Sequence, residues 1–220
     1  MARPPMPAAA RRAFLRDYGP GVAFLVIAYV LFTAIRDFRD NFAAEIWTDL
    51  GYAGVSGVFT ASEVPIAAVT LVILASLVFI RDNVRALMVV HAIILAGAVL
   101  IGLSTLAFQY GWLSPLHWMI LSGLGLYLGY TPFNAMLFDR LVAATRRAGT
   151  AGFLIYVADA SGYAGSVVLT LLRNLPGVTL DWLHFFIWLV YAGAIICLVM
   201  ATASALYFRK RLGSGKFNQP

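Results

Sequence analysis

The sequence predicts an all-α, polytopic membrane protein of six transmembrane helices, and three observations support that. Of the 220 residues, 61% are hydrophobic and 12% charged, a balance too apolar for one soluble core. Apolar runs long enough to cross about 30 Å of hydrocarbon recur at 19–35, 55–80, 84–108, 113–138, 151–172 and 183–208. Basic residues gather in alternate links between these runs, as they do on the cytoplasmic side of membrane proteins.

The charge pattern sets an orientation. With both termini in the cytoplasm, thirteen of the sixteen Lys and Arg residues fall on that side: Arg3, Arg11, Arg12, Arg16, Arg81, Arg85, Arg140, Arg146, Arg147, Arg209, Lys210, Arg211 and Lys216. Only Arg36, Arg39 and Arg173 lie elsewhere. Trp47, Trp112, Trp118, Trp182 and Trp188 then sit near the opposite face, as an interfacial aromatic belt would. The net charge of +6 is explained by topology in a cell inner membrane, and no nucleic-acid partner is needed. The lone Cys197 lies inside the last run, so neither a disulfide framework nor a four-ligand metal site can be built on it. No cofactor is expected.

Residues 1–17 read as a basic tail or linker, 18–212 as the membrane domain and 213–220 as a second tail. Gly19, Pro20 and Gly21 are expected to break any earlier helix. The first run is not a cleaved leader, since it continues into charged helix and five further spans follow. Between Tyr29 and Thr48, Leu31, Ile35, Phe38 and Phe42 share one side, while Tyr29, Thr33, Arg36, Asp37, Arg39 and Asp40 share the other. Charge at bilayer depth is costly unless it meets a partner or water, so the polar side should line a cavity among helices. Arg36 and Asp40 have the i, i+4 spacing for an ion pair. Glu45 and Asp49 belong at the outer water boundary; the competing reading makes 36–49 an external loop helix.

In the second span Ser56, Thr60, Glu63, Ala67 and Thr70 share a face, and Arg36 or Arg39 is the natural partner for Glu63. The turn at 81–85 carries Asp82, placed to cap the third helix. His91 reads as a hydrogen-bonded packing residue before a proton relay. In the fourth span Ser122, Gly123, Gly125 and Gly129 allow close backbone approach, and Tyr127, Tyr130 and Asn134 form a polar stripe. The fifth span aligns Tyr156, Asp159, Tyr163, Ser166, Thr170 and Arg173, with Asp159 near mid-membrane. The sixth is a packing helix ending in a basic cluster.

Six spans with both ends inside, a charged turn between the second and third, and an Arg-bearing first helix resemble one six-helix half of a major facilitator transporter. The strings RDFRDNFAAEIW, SEVPI, GLGLYLGYTPFN, FDR and GFLIYVADASGYAGS further resemble a bacterial facilitator-like group of unknown function. The likeness is to a C-terminal half, although the 81–85 turn lacks the glycine usual after its acidic residue. It implies two halves packed about a central pathway with alternating access, each half built of inverted three-helix repeats. The second half would be a separate chain or a second copy. The resemblance places Arg36 and Arg39 where such carriers hold anions.

The expectation is therefore a secondary carrier, or half of one, for a small polar solute, with an anion among the candidates. Arg36, Arg39, Tyr127, Tyr130, Asn134, Tyr156 and Tyr163 are its candidate solute contacts. Asp37, Asp40, Glu63 and Asp159 are its candidate proton-coupling or ion-pairing groups. The alternative is a non-transporting scaffold or sensor that binds a partner helix bundle. A hydrolase built on Ser161 and Asp159 lacks a histidine partner, because His117 and His184 lie at outer helix ends, so no enzyme is expected.

Overall fold

The computed structural model describes residues 6–146, 150–175 and 181–213, so Arg3, Arg147 and Lys216 lie outside the described residues. The described residues form helices only: α1 (Ala8–Asn41), α2 (Ala43–Asp49), α3 (Gly57–Ser76, extended by a 3₁₀ turn Leu77–Phe79), α4 (Asn83–Gln109), α5 (Pro115–Pro132), α6 (Phe138–Ala144), α7 (Gly152–Arg173) and α8 (Trp182–Gly213). Five stretches are long and apolar enough to cross a membrane: α1, 57–79, α4, α7 and α8. The expected fourth span is instead divided into α5, a π turn at Phe133–Leu137 and α6. Pro132 offers no N–H to the carbonyl one turn back, and the hydrogen-bond ladder slips register immediately after it.

The first helix departs from expectation. It begins at Ala8 and runs unbroken through Gly19, Pro20 and Gly21. Phe14, fully buried, packs against Tyr18 and edge-on to Phe153, which draws 8–17 onto the bundle. Gly21 lets Tyr207 and Phe208 of α8 press on the backbone: a Cβ there would lie 2.5 Å from the Tyr207 ring. Packing thus overrides the local breaker, and only residues before Ala8 precede the helix.

Local chemistry sets the other ends. Asp82 accepts the Arg85 N–H at 2.7 Å and caps α4. Ser114 caps α5 with Pro115 in its first turn. Gly51, Gly54 and Gly111 supply the positive φ values, +87°, +74° and +74°, that turn the chain into α3 and α5. Asp181 accepts the His184 N–H at 2.7 Å at the start of α8, and this bond holds its carboxyl below the ordinary value.

Successive long helices run in alternate directions. One end of the bundle holds the start of α1, the α3–α4 turn, α6 and the end of α8, tied by Tyr207 donating to the Asp17 carbonyl at 2.9 Å and Arg140 to Asn83 at 2.9 Å. The other end holds α2, the α4–α5 turn and the start of α8, tied by the Leu183 N–H to Asp49 at 3.1 Å and Tyr191 to Gln109 at 2.7 Å. All five tryptophans are at this second end, but Trp47 and Trp118 are buried, and only Trp112 and Trp188 are widely exposed. The expected aromatic belt is thus partly core: Trp118 stacks on Phe108 at 4.3 Å and donates to Thr105.

The packing has an internal order. The helix α1 packs on α7, α8 and α5; α4 packs on α5, α8 and α6; α3 packs on α5; and α2 packs on α8. Exchanging α1 with α5, α2 with α6, α3 with α7 and α4 with α8 maps these contacts onto one another, and each exchanged pair of long helices runs in opposite directions. The helices α1–α4 and α5–α8 thus share one contact pattern with their directions inverted. Close approach at the α4–α5 contact depends on glycine: a Cβ on Gly97 would lie 2.6 Å from the Gly125 carbonyl oxygen. The helices α3 and α7 stand at the flanks, with 22% and 17% of their apolar windows buried against 50% for α1.

Candidate functional site

The polar side of α1 faces α3, α5 and α7, and there its charged residues form a seam. Arg39 is the most enclosed, its side chain 2% exposed. Its guanidinium donates to Asp40 at 3.1 Å, to Glu63 of α3 at 2.7 Å and to the Met119 carbonyl of α5 at 3.2 Å. Space for it is left by Gly123, where a Cβ would lie 2.8 Å from Arg39 Nη2 and 2.4 Å from Ile66 Cδ1. Asp40 also accepts the Tyr127 hydroxyl at 3.2 Å. One guanidinium thus binds α1, α3 and α5 together, leaving Glu63 and Asp40 partly exposed at its rim, their side chains 45% and 35% accessible.

Nearer the middle of α1, Arg36 donates to Asp37 at 2.5 Å and lies 4.0 Å above the Tyr130 ring. Asp37 accepts the Ser166 hydroxyl of α7 at 2.6 Å. The expected i, i+4 pair of Arg36 with Asp40 is not formed. Arg36 pairs with its neighbour Asp37, because Tyr130 holds the guanidinium on the α5 side while Arg39 and Tyr127 claim Asp40.

A third group lies deeper. Tyr29 donates its hydroxyl to Asp159 of α7, and the Asn134 amide donates to Asp159 at 2.9 Å and to the Tyr29 oxygen at 3.0 Å. Tyr29 stacks on Tyr130 at 5.4 Å, which links this group to Arg36. Asn134 stands within the π turn, an irregularity often found at functional positions.

The structure brings together Arg36, Asp37, Arg39, Asp40, Glu63, Tyr127, Tyr130, Asn134 and Asp159. It separates Tyr156 and Tyr163, which project from α7 at 78% and 65% exposure and make none of these hydrogen bonds. The buried stripe of α3 is Val58, Ser62, Ile66 and Thr70, so Glu63 stands at its edge, and Thr60 and Ala67 of the expected face are exposed. His91 is a packing residue, bonded to the Leu87 carbonyl at 2.8 Å and Ser204 at 3.1 Å. Ser166, Thr33, Gly123 and Gly162 join the site without having been singled out as site residues. Their common sequence signal is a small side chain on the polar stripe.

The four carboxylates outnumber the two guanidiniums, and both guanidiniums are engaged internally. Among the described residues no cluster of three or more His, Cys, Asp or Glu side chains is arranged to hold a metal ion. A separate cleft of about 360 Å³ opens at the first end beside Tyr18, Asp82, Asn83, Arg146 and Arg211 and touches none of the seam.

Fold and seam together define an all-α bundle of apolar helices, in the manner of a membrane protein, with an ion-paired polar face shared by four of them. The chain belongs to the family described as "Family of unknown function (DUF5690)", whose model matches residues 1–211. No curated protein and no solved structure matches it.

Proposed function

We propose that the chain is a six-helix unit of a secondary carrier in the inner membrane, with both termini cytoplasmic, that moves a small polar solute by alternating access. The observation that carries this reading is the convergence of Arg36, Glu63 and Asp159, from three different helices, on one seam. Polar faces brought together inside an apolar bundle are costly in lipid and are kept where they line a pathway. The inverted contact pattern adds support, since carriers place their sites where inverted repeats meet. It also supports kinship with the major facilitator half that the sequence resembles. In this reading α5 and α6 together make the fourth crossing and bring the number to six, and a second six-helix unit, from another chain or another copy, faces the seam.

The charge balance bears on the solute. Both terminal nitrogens of the enclosed Arg39 are engaged and only its buried Nε is unbonded, while Arg36 is held by Asp37 and Tyr130. The accessible charge is carboxylate, from Glu63 and Asp40. The solute is therefore neutral or cationic.

The test is thermal stabilisation of the purified full chain across a panel of small polar metabolites, followed by uptake of each hit into proteoliposomes. A neutral or cationic hit whose effect is lost in Asp40→Asn and Tyr127→Phe supports the carrier. Absence of any hit or uptake, with its physiological partner present, would sink it. A second reading, a static scaffold, is favoured by the internal engagement of both terminal nitrogens of Arg39; it expects these two variants to lower stability without altering any ligand response.

A further inference from the structure

Asp159 differs from the other carboxylates of the seam. Asp37 pairs with Arg36, and Asp40 and Glu63 share Arg39. Asp159 has only neutral donors, the Tyr29 hydroxyl and the Asn134 amide, and among the described residues no basic side chain lies within ion-pair distance. An uncompensated carboxylate midway along an apolar helix is costly.

Around it, oxygen atoms lack partners. Thr33, one turn along α1 from Tyr29, is 3% exposed, and its hydroxyl oxygen makes no hydrogen bond. It faces Gly162, one turn along α7 from Asp159, where a Cβ would lie 3.2 Å from Thr33 Oγ1 and 3.0 Å from Tyr29 Cε1. Asn134 Oδ1 is likewise buried and unbonded. Rotating this amide by half a turn would bring Oδ1 to the place beside Asp159 Oδ1 and Tyr29 Oη that the amide nitrogen occupies. The α1–α7 contact and the π turn thus bring Asp159, Tyr29 and Asn134 within hydrogen-bond distance of one another, with the unbonded Thr33 hydroxyl one turn further along the same contact.

From this juxtaposition of Asp159 with Tyr29, Thr33 and Asn134 we infer a binding site for a monovalent metal cation, and sodium is the ion that suits it. All donors are hard oxygens, the preference of alkali and alkaline-earth ions. One carboxylate balances one positive charge, whereas calcium sites recruit several. Few ligands at short range suit a small ion better than potassium, whose sites use many carbonyl oxygens. A bound ion would draw α1, α5 and α7 together at the π turn. The inference rests on the carrier reading for its consequence, that this ion is the coupling ion, while the site itself is tested by binding alone.

The experiment uses the full chain purified in detergent. Its melting temperature is measured in NaCl, KCl and choline chloride at equal ionic strength, with binding of ²²Na⁺ measured in parallel. Sodium at about 100 mM should raise the melting temperature by several degrees over choline, with potassium giving less. Asp159→Asn should abolish both effects. Thr33→Val, which keeps the charge, should weaken ²²Na⁺ binding about tenfold, the worth of one ligand. Asp139→Asn, an exposed carboxylate on α6, should bind like the parent.

Equal melting in the three salts without ²²Na⁺ binding would overturn the site, as would undiminished binding by Asp159→Asn. Stabilisation that follows acidity and ignores sodium would overturn it in favour of a proton. Should Asp159→Asn fail to fold, parent and Thr33→Val decide the matter. Solute uptake indifferent to sodium removes the coupling role and leaves the carrier; sodium binding without any solute response keeps the site and removes the carrier.

Discussion

At the scale of single residues, Arg39 decides most. Two carboxylates and a backbone carbonyl depend on one enclosed guanidinium, so removing it leaves negative charge without compensation. Arg39→Leu should cost about 1–3 kcal/mol of stability, less than a fully buried pair because Glu63 and Asp40 are partly solvated. Replacing Glu63 by Leu in the same chain should restore part of the loss, as a double-mutant cycle of thermal unfolding would show. If the two substitutions simply add, the pair is not coupled. Gly123→Ala strikes the same place from α5, because its methyl would meet Ile66 Cδ1 at 2.4 Å and Arg39 Nη2 at 2.8 Å. Overpacking of that kind costs about 1–3 kcal/mol. It should also loosen the Arg39–Glu63 contact, so that the Glu63 carboxylate becomes more reactive toward a carbodiimide than in the parent. The sequence showed that Glu63 needed a cation and named Arg36 and Arg39 as the choices. Selecting between them needed the position of α3 along α1, which no local spacing contains.

At the scale of elements, the helices were legible because periodicity and apolar length are local properties. Two features were not. The continuity of α1 through Pro20 depends on the contacts of Phe14 and Gly21 with α7 and α8, and the π turn depends on how Pro132 is accommodated inside the bundle. The start of α8 offers a test of a purely local device. Asp181 has its carboxyl held below the ordinary 3.8 by the His184 N–H, so its stabilising effect is complete above that ordinary value. It is lost as pH falls through the lower folded value. Measured relative to the intrinsic exchange rate at each pH, the protection of the His184 amide should therefore hold at pH 5 and fall only below about pH 3.8. Asp181→Asn should flatten that dependence, and protection already lost near neutrality would contradict the cap.

At the scale of the whole molecule, the inverted contact pattern and the charge asymmetry lead to one arrangement. Cysteines introduced at Arg85 and at Trp112 stand at opposite ends of α4. In intact cells an impermeant maleimide should label position 112 and spare position 85, and inverted vesicles should reverse the result. Labelling of both from one side would reject the membrane orientation. The buried native Cys197 should remain silent in either case.

The chain by itself determined the all-helical class, the placement of the long apolar segments and the stripes carrying Arg36 and Tyr130, because those follow from composition and from the 3.6-residue period. Tertiary structure alone decided that Arg36 takes Asp37, that Arg39 takes Glu63, and that Asp159 is left with neutral donors. Ion pairing and satisfaction depend on the relative height and rotation of neighbouring helices, and those quantities exist only once the helices have packed.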